Sequence, residues 1–209
     1  MSYFSIVLEM KGRRCLVVGG GTVAERKIAS LLEVGAEVTV ISPEATEAIL
    51  GWAKNNSLRL EGRRYQSGDL AGYQLVFVAT DAADVNDWVH QEGKIYGVWV
   101  NAADDPARCD FILPSVLRRG DLMVAVSTGG ASPAVTRAIR EELEGYFTAD
   151  YAELVQVAAE VRQELREKSF SADGSAWNRA LNGEFRRLIR VGKPEQAKEF
   201  LLTMLGARL

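Results

Sequence analysis

Three consecutive glycines, Gly19-Gly20-Gly21, close the apolar stretch Cys15-Leu16-Val17-Val18 and lead into Thr22-Val23-Ala24. The spacing Gly19-x-Gly21-x-x-Ala24 supplies the three things a dinucleotide loop needs. The first glycine permits a tight strand-to-helix turn, the second lets a pyrophosphate approach the bare backbone, and the small third residue permits close helix–strand packing. A helix starting here aims its first N–H groups, near Thr22 and Val23, at the phosphates. The competing reading is a tight turn in an α/β domain that binds something else. The apolar strand before the glycines and the amphipathic helix after them favour the dinucleotide.

Two further loops carry residues of chemical use. The second predicted strand ends Val40-Ile41-Ser42-Pro43-Glu44, so Ser42 stands where an NAD site usually places the carboxylate that holds the ribose 2′-hydroxyl. Serine can bond a hydroxyl or a phosphate. No arginine stands beside it to favour a 2′-phosphate, so NAD is expected and NADP is not excluded. Thr80-Asp81 ends the fourth strand, and Asn101-Ala102-Ala103-Asp104-Asp105-Pro106 follows the fifth. Ligands of an open α/β sheet sit beyond the carboxyl ends of its strands, so these loops should border the cofactor. A carboxylate there could act as a general base, although Asp-Pro is also ordinary turn chemistry. The expected cofactor contacts are Gly19, Gly21, Thr22, Val23, Ser42, Pro43, Thr80 and Asn101. No residue is assigned to a metal. His90 is the single histidine, it falls inside a helical pattern, and no Cys/His cluster replaces a multi-histidine site.

The elements that must position these residues follow from periodicity. Strands are expected at Cys15–Val18, Glu37–Ile41, Leu58–Tyr65, Leu75–Ala79 and Val98–Asn101, alternating with helices at Val23–Val34, Glu44–Asn55 and Val85–Tyr96. Continuously apolar runs such as Leu75-Val76-Phe77-Val78-Ala79 suit parallel strands covered on both faces. Downstream, Phe111–Leu117 and Leu122–Ser127 flank Arg118-Arg119-Gly120-Asp121 and read as a hairpin with a four-residue loop. Ser132-Pro133 then opens a helix, with serine as N-cap and proline at the first helical position. From about Thr148 the pattern is helical, interrupted near Ser169–Ser175 and at Gly192-Lys193-Pro194. The expected architecture is an α/β, Rossmann-type parallel-sheet domain (1–113), a β-hairpin-plus-helix dimerisation segment (114–147) and a small all-helical carboxy-terminal domain (148–209).

Bulk properties exclude several classes. The 209 residues carry a net charge of −3, which gives no global basic field for nucleic acid or an anionic membrane. Hydrophobic residues make up 47%, an ordinary folded composition. No window reaches the roughly 20 apolar residues of a membrane span. Two cysteines, Cys15 and Cys109, are too few for a disulfide framework. The amino terminus lacks the features of a signal peptide, and a cytoplasmic location is expected. Arg179, Arg186, Arg187, Arg190 and Lys193, against Glu184 alone, form the clearest local charge excess. They read equally as a solvated helix face and as a site for anionic groups.

The combined motifs resemble the precorrin-2 dehydrogenase family of siroheme-forming enzymes over nearly the whole chain. The resemblance rests on Phe4-Ser5-Ile6, on Lys11–Lys27 with its Gly19-Gly20-Gly21-Thr22-Val23-Ala24-Glu25-Arg26-Lys27 core, and on Val78-Ala79-Thr80-Asp81. It continues through Val100–Pro106 and Phe111-Ile112-Leu113-Pro114-Ser115 to Met123–Pro133, which contains Ser127-Thr128-Gly129-Gly130-Ala131-Ser132-Pro133. It implies NAD-dependent oxidation of precorrin-2 to sirohydrochlorin by a homodimer, with the hairpin-plus-helix segment at the dimer interface. It also implies Asp104 as the catalytic residue, and Ser127, Thr128 and Gly129 at the tetrapyrrole. Some members also insert Fe²⁺ into sirohydrochlorin, and here that would rely on Asp104 or another carboxylate because no histidine follows His90. The chain stops at Leu209 without a methyltransferase domain, so the preceding methylation is expected of another protein. A reading from another class is a non-catalytic NAD(H)-sensing module, which has no need of the Ser127–Pro133 run. Hydride transfer to a nicotinamide with loss of a proton to Asp104 is compatible chemistry. Arg118, Arg119, Arg137 and the helix start at Ser132 could receive substrate carboxylates.

Overall fold

The structure, a computed structural model, describes residues 3–80, 82–103 and 105–207, with the backbone alone for Pro106. It divides into two compact units, Met1–Leu113 and Pro114–Leu209. In the first, strands β1 (Arg14–Val18), β2 (Glu37–Ile41), β3 (Arg59–Glu61), β4 (Leu75–Val78) and β5 (Trp99–Ala102) lie in the order β3-β2-β1-β4-β5. Every neighbouring pair is parallel. Helices α1 (Thr22–Glu33), α2 (Glu47–Lys54) and α3 (Ala83–Tyr96) make the crossovers.

Alternation along the strands divides the core into two layers. Cys15, Val17, Val38, Val40, Leu75 and Phe77 pack with Ile28 and Leu31 of α1 and Ile49 of α2. Leu16, Val18, Ile41, Val76, Val78 and Val100 pack with Val89 of α3 and with Tyr65 and Leu70. Both faces are thus covered, which is why these strands read as unbroken apolar runs. After β1 the chain moves out to β2 and β3, then returns to β1's other side as β4. The carboxyl ends of β1 and β4 therefore flank a topological switch point, where α/β sheets bind ligands.

The third strand is shorter than its apolar pattern predicts, three residues instead of eight. Beyond Glu61, Arg63 pairs with Glu61 at 2.5 Å and with Asp69 at 2.7 Å, which turns the chain out of the sheet. Tyr65 then turns inward, and its hydroxyl donates to the buried carboxylate of Glu92 on α3. Glu92 also accepts from Ser67 Oγ at 2.5 Å and from the Gly68 N–H at 2.9 Å.

In the second unit β6 (Ser115–Arg119) and β7 (Leu122–Val126) pair antiparallel, and Arg119 faces Leu122. The hairpin loop is therefore two residues, Gly120-Asp121, and not four. Gly120 takes the left-handed φ of 54° that a tight hairpin wants at its first central position. Helix α4 (Pro133–Tyr146) starts as expected, with Ser132 Oγ accepting from the Val135 N–H at 3.3 Å. Helices α5 (Asp150–Glu167), α6 (Gly174–Ala180), α7 (Gly183–Arg190) and α8 (Pro194–Met204) follow. Their core joins Val157, Val161 and Leu165 to Phe185, Ile189 and Leu201. Full burial of each such side chain stabilises by about 1.5–3 kcal/mol. Among the described residues no helix is long and apolar enough to cross a membrane.

Gly93 on α3 tests how tightly α3 meets the sheet. A Cβ there would lie 2.4 Å from Val100 Cγ2 and 3.0 Å from the Val98 carbonyl oxygen. In an open helix, alanine for glycine would stabilise by about 1 kcal/mol. Here Gly93→Ala is expected to destabilise by about 1–3 kcal/mol through overpacking, read as a lower urea midpoint. A midpoint equal to or above that of the unmodified protein would refute this packing.

Candidate functional site

The turn after β1 is built from backbone in contact with backbone. Gly19 has φ +119°, and a Cβ on it would sit 2.1 Å from the carbonyl oxygen of Ala79, which follows β4. Its N–H donates to the Ile41 carbonyl of β2 at 3.0 Å. A Cβ on Gly20 would lie 2.0 Å from the Glu44 carbonyl oxygen, and the Gly20 carbonyl accepts from the Thr46 N–H at 3.0 Å. The loops after β1, β2 and β4 are therefore brought together. The middle glycine is as constrained as the first, a requirement the three-position fingerprint does not contain.

Gly21 differs. It is the N-cap of α1, no side chain caps the helix, and a Cβ there would meet nothing within 4 Å. Among the described residues no contact requires glycine at this position. The open space lies at the helix end whose first N–H groups lack intrahelical acceptors and whose dipole favours an anion. Thr22 is exposed, Val23 half-buried and Ala24 fully buried, so Ala24 fills the close helix–strand position. This donor set fits a pyrophosphate.

Around the turn, Ser42 is buried and donates its hydroxyl hydrogen to the Glu44 carbonyl at 2.6 Å, keeping only acceptor capacity. Pro43 is exposed. Thr80 Oγ1 accepts from the Ala82 N–H at 3.3 Å, which shapes the loop after β4. Asn101, buried near the end of β5, accepts from Lys27 Nζ at 2.9 Å and donates to the Phe111 carbonyl at 2.9 Å. Asp104 and Asp81 lie outside the described residues. Asp105 is described, and it forms an ion pair with Arg108. The Arg108 guanidinium holds its carboxyl below the usual range, and Arg108 also reaches Asp87 at 2.6 Å.

Ser127, Thr128 and Gly129 belong to the second unit, in the turn between β7 and α4. Thr128 Oγ1 accepts from the Ser132 N–H at 3.0 Å and donates to its carbonyl at 3.3 Å. Ser127 is exposed, and its oxygen accepts from the Gly129 N–H at 3.2 Å. Gly129 and Gly130 take φ of 63° and 84°. The arginines of α7 face out while Phe185, Leu188 and Ile189 face in, and Arg187 is held by Glu184 at 2.6 Å. His90 lies on α3, away from the strand ends. Among the described residues no three metal-capable side chains cluster.

One residue at this site had no role in the sequence reading. Lys27 crosses from α1 to Asn101 and lies 5.1 Å from the centroid of the Phe77 ring. The only local signal was its place at the end of the Gly19–Lys27 run.

The NAD(P)-binding family profile matches residues 6–115, and the profile "Sirohaem biosynthesis protein central" matches residues 119–146. The siroheme synthase of Nitrosococcus oceani is 39% identical over 95% of this chain and 43% of its own length. That of Methylococcus capsulatus is 37% identical over 99% of this chain and 44% of its own. A solved structure, "SirC, precorrin-2 dehydrogenase", superposes with a TM-score of 0.75 at 29% identity, covering 97% of this chain and 98% of that one. The chain belongs to the siroheme synthase and precorrin-2 dehydrogenase family. It spans less than half the length of the siroheme synthases it matches. Membership fits the geometry, since the NAD(P)-binding profile covers the sheet and the glycine turn, and the bound group it implies is a nicotinamide dinucleotide.

The two kinds of glycine should respond differently to substitution. Gly21→Ala is expected to leave the unfolding midpoint unchanged while weakening NAD⁺ binding by about tenfold or more, roughly 1.4 kcal/mol. Gly19→Ala should lower stability itself, because the Ala79 carbonyl must move. Calorimetric titration beside thermal unfolding separates the two, and NAD⁺ affinity untouched by Gly21→Ala would remove the pyrophosphate from this turn.

Proposed function

We propose that this protein catalyses NAD-dependent dehydrogenation of precorrin-2 to sirohydrochlorin. The observation that carries the reading is the uncapped α1 N-terminus beside the open face of Gly21, in a chain that superposes along its whole length on a precorrin-2 dehydrogenase. In this reading Gly19, Gly21, Thr22 and Val23 hold the pyrophosphate, and Ser42 and Pro43 border the adenosine ribose. Thr80 and Asn101 shape the nicotinamide end. The preference for NAD is supported by Arg63, which is engaged by Glu61 and Asp69 and is not available for a 2′-phosphate.

The nicotinamide supplies a hydride acceptor. The chain must supply a base for the proton that leaves the substrate as the hydride departs. Asp104 is assigned that role. Its neighbour Asp105 is tied to Arg108, whose guanidinium holds that carboxyl below the usual range and weakens it as a proton acceptor, so it is a poor candidate. Ser127, Thr128 and Gly129 are assigned to the tetrapyrrole, with the exposed Ser127 hydroxyl as the contact and Thr128 as the brace of the turn. Outward arginines of α7 are suited to substrate carboxylates.

Residues 114–147 are assigned to dimerisation and 148–209 to a helical carboxy-terminal region. Helix α4 has no buried residue, yet Val135, Ile139 and Tyr146 form one exposed apolar stripe along it. A second copy of the chain would cover that stripe. A cytoplasmic location suits the two free thiols; burial pushes Cys15 up to about 11 and also raises Cys109.

Anaerobic incubation with precorrin-2 and each nicotinamide tests the reaction: NAD⁺ should give NADH absorbance together with the sirohydrochlorin spectrum. Asp104→Asn should retain NAD⁺ binding and lose about 10²–10⁴ in rate, the usual contribution of a positioned base. Unimpaired turnover by that variant would strip Asp104 of the role, and no turnover by the unmodified protein would end the proposal. For the dimer, Val135→Glu with Ile139→Glu should convert dimer to monomer in sedimentation, and an unchanged mass would place the interface elsewhere.

A further inference from the structure

Lys27 links the cofactor helix to the carboxyl end of β5. It stands on α1 less than two turns from Gly21, and its ammonium is shared between Asn101 Oδ1 at 2.9 Å and the face of Phe77 at 5.1 Å. An ammonium has only donors, so it selects the carboxamide oxygen of Asn101 and fixes which way the amide faces. The amide nitrogen is thereby turned to the Phe111 carbonyl at 2.9 Å and to Cys109 Sγ at 3.7 Å. Both acceptors lie on the chain returning from the loop after β5.

Hydrogen bonds tie both ends of that loop to the sheet. Leaving β5, the Ala103 N–H donates to the Val78 carbonyl at 2.8 Å. On the return, the Asp110 N–H donates to the Val100 carbonyl at 2.8 Å, and the Val100 N–H donates to Asp110 Oδ2 at 2.8 Å. Asp110 and Asp105 thus have partners of their own, and Cys109 Sγ lies 3.2 Å from the Ala102 carbonyl and 3.3 Å from that of Asp105. Lys27 reaches the base of the loop from outside, from the helix whose other end faces the dinucleotide. A packing role alone would be met by any long apolar side chain, without desolvating an ammonium.

We infer that Lys27 is a positioning residue of the dehydrogenation. Through Asn101 it locks the loop after β5 to the cofactor helix, so that the loop's base and the hydride acceptor keep one geometry. The inference rests on the proposed reaction. Lys27→Met keeps the length and removes the donors, and Lys27→Arg keeps charge and donors. Both are assayed with the unmodified protein in the anaerobic precorrin-2 reaction. Lys27→Met is expected to bind NAD⁺ within about twofold of the unmodified protein, with kcat lower by about tenfold or more, and to unfold at a lower temperature because the Asn101 oxygen loses its donor. Lys27→Arg should recover most of kcat.

Unimpaired kcat in Lys27→Met would overturn the inference. So would a loss of kcat matched by an equal loss of NAD⁺ affinity, or one that Lys27→Arg fails to recover, either of which marks a packing residue. Should Lys27→Met not fold, Lys27→Gln is read by the same criteria. Absence of turnover by the unmodified protein overturns the underlying reaction, a result distinct from either of these.

Discussion

The end of β1 has no room for side chains, and the rest of the first unit is arranged around that fact. Backbone oxygens of Ala79 and Glu44 occupy the places where Cβ atoms of Gly19 and Gly20 would be, each about 2 Å away. Three loops from three strands thus meet on bare backbone. With β1 pinned between β2 and β4 by ladders on both sides, the chain can leave only by turning directly into α1. The axis of α1, the absence of a capping side chain and the aim of its dipole follow from one crowded turn. Replacing either glycine requires a neighbouring loop to retreat, so the constraint is mutual among the three loops.

A second, polar knot stands near the end of β5. Asn101 is buried, and leaving a buried amide unpaired costs about 1–3 kcal/mol. Its oxygen is met by Lys27 and its nitrogen by the Phe111 carbonyl, so both ends of the amide are satisfied. Phe111 is held in turn by its edge contact with Phe77, ring centroids 5.5 Å apart, and Phe77 also faces the Lys27 ammonium. One amide and two rings tie β4, β5, α1 and the returning chain together. The glycine turn fixes the start of α1, and this knot fixes the end of β5 and the chain that returns to it.

Much of this was legible in the sequence because it is local. Apolar runs of four or five residues, helical spacing between them and the glycine fingerprint locate β1, β2, β4, β5 and the three helices to within a few residues. Ser132-Pro133 marks the start of α4 by chemistry contained in two residues. What was not legible depends on partners far along the chain. Leu58–Tyr65 has strand-like character, but Arg63 finds Asp69 and Tyr65 finds Glu92, 27 residues away, and these contacts end β3 at Glu61. Gly20 is demanded by the Glu44 carbonyl, which no fingerprint position anticipates. Lys27 looks like any exposed lysine of an amphipathic helix until β5 brings Asn101 to it, 74 residues on. The polar Arg118-Arg119 pair reads as loop, yet the cross-strand ladder runs through Arg119 because Gly120 alone can make the turn.

Residues with internal partners and residues without them separate structure from function here. Gly19, Gly20, Thr128 and Asp105 each have a partner inside the chain that accounts for their identity. Gly21 and the apolar stripe of α4 are less fully accounted for: a Cβ at Gly21 would meet no described atom within 4 Å, and Val135 and Ile139 stay 47% and 37% exposed. A residue type that packing does not require, at a position where exposure disfavours it or leaves it unspecified, is accounted for by something outside the chain. For Gly21 that something must come close to backbone N–H groups and carry negative charge. For the α4 stripe it must be apolar and as long as three helical turns. The two requirements are chemically unlike, so one ligand cannot satisfy both: the proposed dinucleotide would answer the first and the proposed second copy of the chain the second.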